Sequence, residues 1–314
     1  NPNYVTPYTP EVIEKYRSGE DPILYPNVDW MKLMMKDFAN SQRATLNVSG
    51  GTEKARYYIG GSYYDESGAW ATDALTKYDS QTKLKRFNFR SNTDIDLRKD
   101  LELSLGLGGF LTLSNYPGDG NTDGIWYNMG LATPAKYVPA IPDPVYPGKK
   151  IYLNSGGGGN INPLQYLEDR GYTNAWDNTL QTDISLKYDA AAITKGLKAG
   201  IKFAYDAYSH NQIQRTKGGD QWTIVPPGRD ADGNLTLQKI YSGTTNLGYT
   251  KTAGGNRRIY VEGNLNYDRQ FGDHKIGALL LYNQQDYQNG DAANAIDAIP
   301  FRFTDGRIGR LTRD

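Results

Sequence analysis

Hydrophobic and polar residues alternate with a period of two along much of the chain, which is typical of β-strands with two different faces. The pattern is clear between residues 101 and 114, where every second position from Leu101 to Leu113 is leucine or glycine. Polar residues such as Glu102 and Thr112 lie between them. In all, eight strands are predicted, over residues 42–49, 54–65, 85–97, 101–114, 178–190, 197–210, 258–270 and 274–287. A ninth strand is expected to begin near Arg307.

The connections between these strands alternate in length. Short links span residues 50–53, 98–100, 191–196 and 271–273, whereas long links span residues 66–84, 115–177, 211–257 and 288–306. An antiparallel barrel with tight turns at one rim and long loops at the other produces this rhythm. A β-sandwich with uneven loops is the competing prediction, but strands in globular proteins most often have only ~5–6 residues.

Two helices are predicted before the first strand. Thr9 is a suitable N-cap, Pro10 suits the first helical position and Gly19 is a suitable stop, which predicts a helix over Pro10–Ser18. A second short helix is predicted over residues 30–38. We expect both helices at the rim that carries the long loops.

The uncharged strand faces indicate a membrane. Each of the eight strands has one face with no charge in its central part. A strand in hydrocarbon needs such a face, because a Lys or Arg at the bilayer midplane costs ~2–4 kcal/mol. The sheet must also close, since hydrocarbon offers no hydrogen-bond partners to an open edge. We therefore predict an all-β chain that forms part of a transmembrane antiparallel β-barrel, with long extracellular loops and short helices.

The opposite strand faces carry charges that would line a lumen. The predicted lumen-facing residues are Arg86, Arg90, Asp94, Asp96, Glu102, Asp183, Lys187, Lys202 and Glu262. A small barrel would need to pair these charges densely, whereas a wide barrel can leave them in water. The number of charges therefore favours a wide barrel.

Composition argues against several other classes of protein. Lys plus Arg and Asp plus Glu number 35 each, so the net charge is zero and we expect no nucleic-acid partner. The chain has no Cys and only two His, which leaves few ligands for zinc and few bases for catalysis. No G-x-S-x-G or H-E-x-x-H motif occurs. We expect no catalytic residue, no metal site and no cofactor.

Three polar or glycine-rich segments are interpreted as turns or loop tips. Residues 119–124 begin like a calcium-binding loop, but Gly130 occupies the twelfth position, where an acidic ligand is needed. Residues 230–234 are predicted to form a hairpin turn. The glycine run at residues 156–159 lacks the Lys-Ser/Thr of a phosphate-binding loop.

Several segments resemble one family of outer-membrane proteins. Residues 46–58 are LNVSGGTEKARYY, residues 61–68 are GSYYDESG and residues 86–92 are RFNFRSN. Together with YPNVDW at residues 25–30, they resemble the SusC/RagA-like branch of TonB-dependent outer-membrane receptors. The resemblance is close over residues 10–100 and loose over the rest of the chain.

This resemblance implies a 22-stranded barrel with a plug in its lumen, of which residues 1–314 would form one segment. It implies a location in the outer membrane of a Gram-negative, Bacteroidetes-like bacterium, in contact with outer-membrane lipid. The implied function is active import of oligosaccharides or peptides, with TonB as the energy-supplying partner and a SusD-like surface lipoprotein as a cap. We expect the plug domain and the TonB box to lie outside this chain.

Four tryptophans are the candidate substrate contacts. Trp70, Trp126, Trp176 and Trp222 all fall in the predicted long links. Aromatic rings stack on sugars and anchor peptides, which favours a binding role. Alternatively, these rings pack the loops against each other or against the capping lipoprotein.

Two other functions stay open at this point. One is a passive porin or a structural surface barrel, which would show the same strand faces. The other is a secreted carbohydrate-binding β-sandwich.

Overall fold

The computed structural model describes residues 8–71, 78–118, 120–155 and 161–290. The helices in these ranges are α1 (Pro10–Ser18), α2 (Trp30–Met34), α3 (Asp123–Leu131) and α4 (Pro163–Glu168). The strands are β1 (Ser41–Gly51), β2 (Ala55–Ser67), β3 (Lys83–Arg98), β4 (Leu101–Pro117), β5 (Ala140–Pro142), β6 (Lys150–Tyr152), β7 (Gly171–Asp189), β8 (Leu197–Thr216), β9 (Gln221–Arg229), β10 (Leu235–Tyr241), β11 (Thr250–Phe271) and β12 (His274–Gly290). No helix in these ranges is both long enough and apolar enough to cross a membrane. The strand predicted near Arg307, the glycine run at residues 156–159 and Asp119 lie outside the described residues.

Eight of the strands form one antiparallel sheet in the order β1-β2-β3-β4-β7-β8-β11-β12. They correspond one to one to the eight strands predicted from the alternation, which confirms that prediction. Each strand pairs with the one before it in this set, across the short and long links in turn. Within the described residues β1 and β12 are the two edges of this eight-stranded sheet, which we call the wall.

The pairing register puts the apolar strand faces on one side of the sheet. Directly opposite residues of an antiparallel pair point to the same side. Leu105 lies opposite Ile184, Ile184 lies opposite Phe203, and Phe203 lies opposite Val261. We call this side the apolar face.

The side chains of the apolar face are exposed instead of being packed into a core. Leu46 and Leu280 are 74% and 68% exposed, and Leu107 is 44% exposed. A continuous exposed apolar surface marks contact with another apolar phase, and lipid hydrocarbon is such a phase. A β-sandwich would need a second sheet over this face. The other two sheets in the described part of the chain have only two strands each.

Several strands are longer than a bilayer requires. A transmembrane β-strand needs ~9–11 residues, but β7, β8 and β11 have 19, 20 and 22 residues. The extra residues lie on the side of the long links, where Pro117 at the end of β4 still pairs with Tyr172 of β7. The extensions therefore carry the long links beyond the membrane boundary.

The packed hydrophobic core lies in the long links and in the segment before β1. We call these parts, within residues 8–40, 68–82, 118–170 and 217–249, the loop layer. Core side chains include Trp30 and Met34 of α2, Trp70 after β2, Ile125 of α3 and Leu167 of α4, each 5% exposed or less. Segments that are far apart in sequence thus share one core, which holds the loop layer together.

Helix α1 has the bounds and caps that the sequence predicts. The Thr9 side chain accepts a hydrogen bond from the Val12 amide, and Gly19 ends the helix with a left-handed φ of 65°. The second helix is shorter than predicted. It ends at Met34 because the chain becomes extended at Met35, which forms a β-bridge with Trp70.

Asn162 is a buried polar centre of the loop layer. Its Nδ2 donates to the carbonyl oxygens of Pro139 and Leu153, at 2.5 and 2.7 Å. Its Oδ1 accepts from the Leu164 amide at 2.9 Å and so caps α4. One fully buried side chain therefore fixes three backbone segments, because its donors and its acceptor are all satisfied.

The acidic turn predicted at residues 230–234 is confirmed and joins β9 to β10. Asp230 Oδ1 accepts from the amides of Asp232 and Asn234, at 3.0 and 2.8 Å. Gly233 supplies the left-handed backbone, with a φ of 83°. At the other acidic segment α3 begins at Asp123, so its last two residues are helical instead of forming a turn.

An ion pair ties the segment before β1 to the β9–β10 hairpin. Arg229 Nε donates to Asp21 Oδ2 at 2.6 Å. The hydrogen bond from Arg229 holds the pKa of the Asp21 carboxyl below its usual value near 3.8, helped by the amides of Leu24 and Ile23. Tyr16 adds a second tie by donating to the Ala135 carbonyl at 2.9 Å.

A charge on the apolar face should weaken folding into a membrane. Leu107→Arg places a cation in the middle of that face, and we expect a loss of ~2–4 kcal/mol in folding free energy. Gln181→Arg, on the opposite face, is the matched control and should cost less than about 1 kcal/mol. Urea-dependent folding of the full-length protein into lipid vesicles measures both. Equal losses in the two variants would contradict the assignment of the faces.

Acid should release the segment before β1. Because the pKa of Asp21 is lowered in the folded protein, its contribution to stability is present above about pH 3.8 and is lost as the pH falls through the lowered value. In the wild type, pepsin should therefore cleave within residues 8–35 only below about pH 3.8. Mass spectrometry identifies the cleavage sites. Asp21→Asn should already be cleaved at pH 5, whereas Asp232→Asn, in the exposed hairpin turn, should behave like the wild type. Full protection of Asp21→Asn at pH 5 would show that the pair does not hold this segment.

Candidate functional site

The nine charged residues predicted to line a lumen all lie on the side of the sheet opposite the apolar face. Asp96 lies opposite Glu102, and Glu102 lies opposite Lys187. Lys202 lies opposite Glu262. We call this side the polar face; that it faces a lumen is the subject of the proposal below.

One ion-pair cluster lies at the short-link end of the polar face. Arg56 contacts Asp96 at 3.6 Å and Glu102 at 3.0 Å, and Lys187 contacts the other oxygen of Glu102 at 3.1 Å. Arg56 was missed by the prediction, because only the register of β2 with β3 brings it to these acids. These side chains are partly exposed, so each pair contributes little to stability. Their effect is to leave this part of the wall close to neutral.

A second ion-pair cluster crosses β7, β8 and β11. Lys202 lies 3.8 Å from Asp183, and Arg258 forms an ion pair with Asp206. Glu262 accepts hydrogen bonds from Tyr260 and Asn264, at 2.6 and 3.1 Å. The acids of this cluster therefore have partners within the wall.

The cations of β3 are arranged differently. The Arg86 guanidinium lies over the Phe110 ring, 4.1 Å from its centre. Arg90 and Asp94 form no ion pair with any described residue. The wall at β3 thus presents charge that the described residues do not neutralise.

A concave trough of about 530 Å³ lies in the polar face beside Arg90. Gly60, Gly106, Gly108 and Phe110 are among its lining residues. Gly60 and Gly108 lie directly opposite Arg90 on the two neighbouring strands. The Tyr58 ring lies against Gly60 and the Asp183 carboxylate lies against Gly106, whereas the floor is open at Gly108, so a ligand can approach the backbone there.

A hydrogen-bonded cluster around one carboxylate, that of Asp177, lies further along the polar face, towards the loop layer. Asp177 Oδ1 accepts from the Tyr208 hydroxyl at 2.7 Å and lies 2.7 Å from His210 Nδ1. The residues come from two adjacent strands, β7 and β8, in which Asp177 lies opposite His210. No group of three His, Asp or Glu side chains suited to a metal ion occurs in the described ranges.

A buried acid stabilises the loop layer. The Glu168 side chain is 3% exposed and accepts from Lys150 at 2.9 Å and from the Tyr152 hydroxyl at 3.0 Å. The Tyr78 hydroxyl donates to the Glu168 carbonyl and accepts from the Gly171 amide. Burial is the main cause that raises the pKa of both tyrosines far above the usual value. The cluster therefore keeps both phenols protonated and fixes α4 against β6 and the start of β7.

The four candidate tryptophans occupy four different environments. Trp70 is 4% exposed and lies in the loop-layer core, with its ring 4.9 Å from that of Trp126. Trp126 is 44% exposed on α3. Trp222 is half-buried in β9, and Lys239 Nζ lies 4.9 Å from its ring centre. Of these three, only Trp126 offers a largely open ring.

The placement of Trp176 in a long link was wrong. Trp176 lies within β7, opposite Leu113 of β4 and Asn211 of β8. Leu113 belongs to the apolar face, so the Trp176 ring points towards the same side, away from the polar face. This position suits an aromatic at the membrane boundary and does not suit contact with a ligand on the polar face.

The chain is similar to TonB-dependent receptors. It is 24% identical over 269 residues to TonB-dependent receptor P3 of Formosa agariphila, which covers 85% of the chain and 23% of that receptor. It is 33% identical over 82 residues to TonB-dependent receptor P26 of the same organism, which covers 26% of the chain and 7% of that receptor. The chain therefore spans about a quarter or less of the curated relatives it matches. No protein-family profile matches it.

Two solved structures share the fold. The chain superimposes on the RagAB peptide transporter with a TM-score of 0.58 and 16% identity, covering 89% of this chain and 28% of that one. It superimposes on the RagAB peptide importer in its open-open state with a TM-score of 0.57 and 17% identity, covering 83% and 25%. These similarities confirm the resemblance to SusC/RagA-like TonB-dependent receptors and the transmembrane β-strand architecture. They indicate the Gram-negative outer membrane as the location, and the similar proteins are receptors and transporters, not enzymes.

The two stacked tryptophans should differ in their importance for the loop layer. Trp70→Ala removes a buried core ring and should cost ~3–5 kcal/mol of local stability. Trp126→Ala removes an exposed ring from the same pair and should cost no more than ~1.5 kcal/mol. Hydrogen exchange of the α3 and α4 amides in the full-length protein measures both losses. A larger loss in Trp126→Ala would show that the exposed ring carries the packing.

Proposed function

We propose that this chain forms part of the wall and of the extracellular loop layer of an outer-membrane transporter that imports oligosaccharides or peptides with energy supplied through TonB. The similarity to a TonB-dependent receptor over 85% of the chain carries the proposal. The two faces of the sheet support it. One is uncharged and exposed over the width of a bilayer, and the other is charged and, at the trough, concave.

The proposed mechanism needs no covalent chemistry. A ligand binds to polar groups on the lumen side of the wall and to the loops above it, and a plug that TonB pulls would open the path. The nine charged residues of the polar face then line the lumen, among them Arg90, Asp183 and Lys202. The plug and the contact with TonB are proposed to lie in parts of the receptor outside residues 1–314.

A SusD-like surface lipoprotein is the proposed cap of the loop layer. Helix α3 supports such a contact because its outward side is apolar. Trp126, Tyr127 and Leu131 are 44%, 67% and 38% exposed, whereas Ile125 and Met129 of the same helix are buried. Exposed aromatics of this kind are enriched in protein interfaces. Trp126 is thus a candidate contact for either the cap or the ligand.

A passive porin is the second candidate, because a charged, concave inner face suits it equally well. The two functions differ in their need for energy.

The β-sandwich alternative lacks support, since no second large sheet covers the apolar face in the described ranges.

Uptake experiments separate the transporter from the porin. Cells that express the full-length receptor are given a labelled tryptic peptide mixture or a labelled starch hydrolysate, with TonB present or deleted. We expect at least one mixture to accumulate about tenfold faster with TonB present than with TonB deleted. Uptake that is unchanged by the deletion would contradict the proposal and favour a porin. A receptor deletion strain is the control for background uptake.

A further inference from the structure

Arg90 differs from most other cations of the polar face because it contacts no carboxylate of the described residues. Arg56, Lys187, Lys202 and Arg258 each contact a carboxylate within the wall. Arg90 has no such partner among the described residues, and its side chain is exposed. An unpaired guanidinium on a membrane-embedded wall is costly unless water or another group compensates it. Arg90 is therefore available to a group outside the described residues, such as water or a ligand.

The space beside Arg90 is open because position 108 is a glycine. A Cβ added to Gly108 would lie 4.0 Å from Arg90 Cγ and 3.6 Å from the Phe89 carbonyl oxygen. This is ordinary contact distance, so a side chain would fit there, yet none is present. At Gly106 an added Cβ would lie 2.2 Å from Asp183 Oδ1, so the Asp183 side chain closes that end of the trough.

The remaining neighbours are neutral or already paired. Asn92 and Gln181 line the trough with amide groups. Gln181 lies opposite Gly108, and Asn92 lies opposite Gly106. Two acids line the trough, and both are paired: Asp183 with Lys202, and Asp206 with Arg258. Arg90 is therefore the guanidinium of the trough that has no carboxylate partner among the described residues, and with the amides beside it, it matches a singly charged ligand group that also accepts hydrogen bonds.

We propose that the trough at Arg90 binds a carboxylate group of the imported ligand. This proposal rests on the proposed function, because it places the polar face in the lumen. The guanidinium would bind the carboxylate through two parallel hydrogen bonds, a geometry that Arg favours. The open floor at Gly108 gives the ligand access, and Phe110 forms one side. The carboxylate can belong to an acidic peptide or to a uronic-acid oligosaccharide.

Binding to the purified full-length receptor tests the proposal with two matched pairs of probes. One pair is a pentaglutamate and a pentaglutamine peptide; the other is a galacturonate pentamer and a neutral galactose pentamer. In isothermal titration we expect one acidic probe to bind at least about tenfold more tightly than its neutral match, as for a charge-assisted hydrogen bond. The pair of probes that shows this difference in affinity identifies the source of the carboxylate, either a peptide or a uronic-acid oligosaccharide.

Two variants locate the site. Arg90→Gln should remove the preference for the acidic probe, and Gly108→Val should weaken its binding by filling the trough without changing charge. Arg43→Gln, on the same face but outside the trough, should keep the wild-type preference. Neutral probes should bind equally to all three proteins if the fold is intact.

Three results would overturn this inference. They are equal binding of acidic and neutral probes by the wild type, an undiminished preference in Arg90→Gln, and a density map of the full-length receptor in which Arg90 pairs with a carboxylate of the protein itself. None of these affects the proposed function, which fails only if uptake is independent of TonB. The two proposals are thus tested separately.

Discussion

Hydrocarbon offers no hydrogen-bond partner, and the other features of this structure follow from that constraint. Backbone groups inside a bilayer must pair within the protein, which here is achieved by long antiparallel strands, each hydrogen-bonded to its neighbours in the wall. Side chains on the lipid side must be uncharged, which places Leu105, Ile184 and Phe203 on the apolar face. Charges are then confined to the other side, where water or a ligand can compensate them.

The same constraint explains why the packed core lies outside the membrane. A single sheet with lipid on one side and no second sheet on the other cannot bury its own side chains, so the strands contain few buried residues. The loop layer is in contact with water and must form a conventional core instead, around Trp30, Trp70 and Leu167. Buried polar side chains such as Asn162 and Glu168 fix the loops, because loop backbone without regular pairing needs side-chain partners. The wall thus positions the loop layer.

The strands could be predicted because the two faces differ in kind. From Leu101 to Leu113 each position reports its side of the sheet, whereas the start of β7, at residues 171–177, mixes small and polar residues on both sides. The alternation therefore predicts a link there, and the part of β7 that contains Trp176 is missed. The three-residue strands β5 and β6 are too short to show a period. Arg90 was predicted to lie on the polar face, but its isolation was not predictable, because only the register brings Gly60 and Gly108 beside it.

The central claim is that odd and even positions of a strand face different phases, and β4 tests it most directly. The chain contains no Cys, so single cysteines can be introduced in turn at residues 103–108 of the full-length receptor and spin-labelled in lipid. We predict that collision with oxygen, which concentrates in lipid, is high at Leu103, Leu105 and Leu107. Collision with a water-soluble nickel complex should be high at Ser104, Gly106 and Gly108. Accessibilities that do not alternate, or that alternate in the opposite phase, would contradict the account.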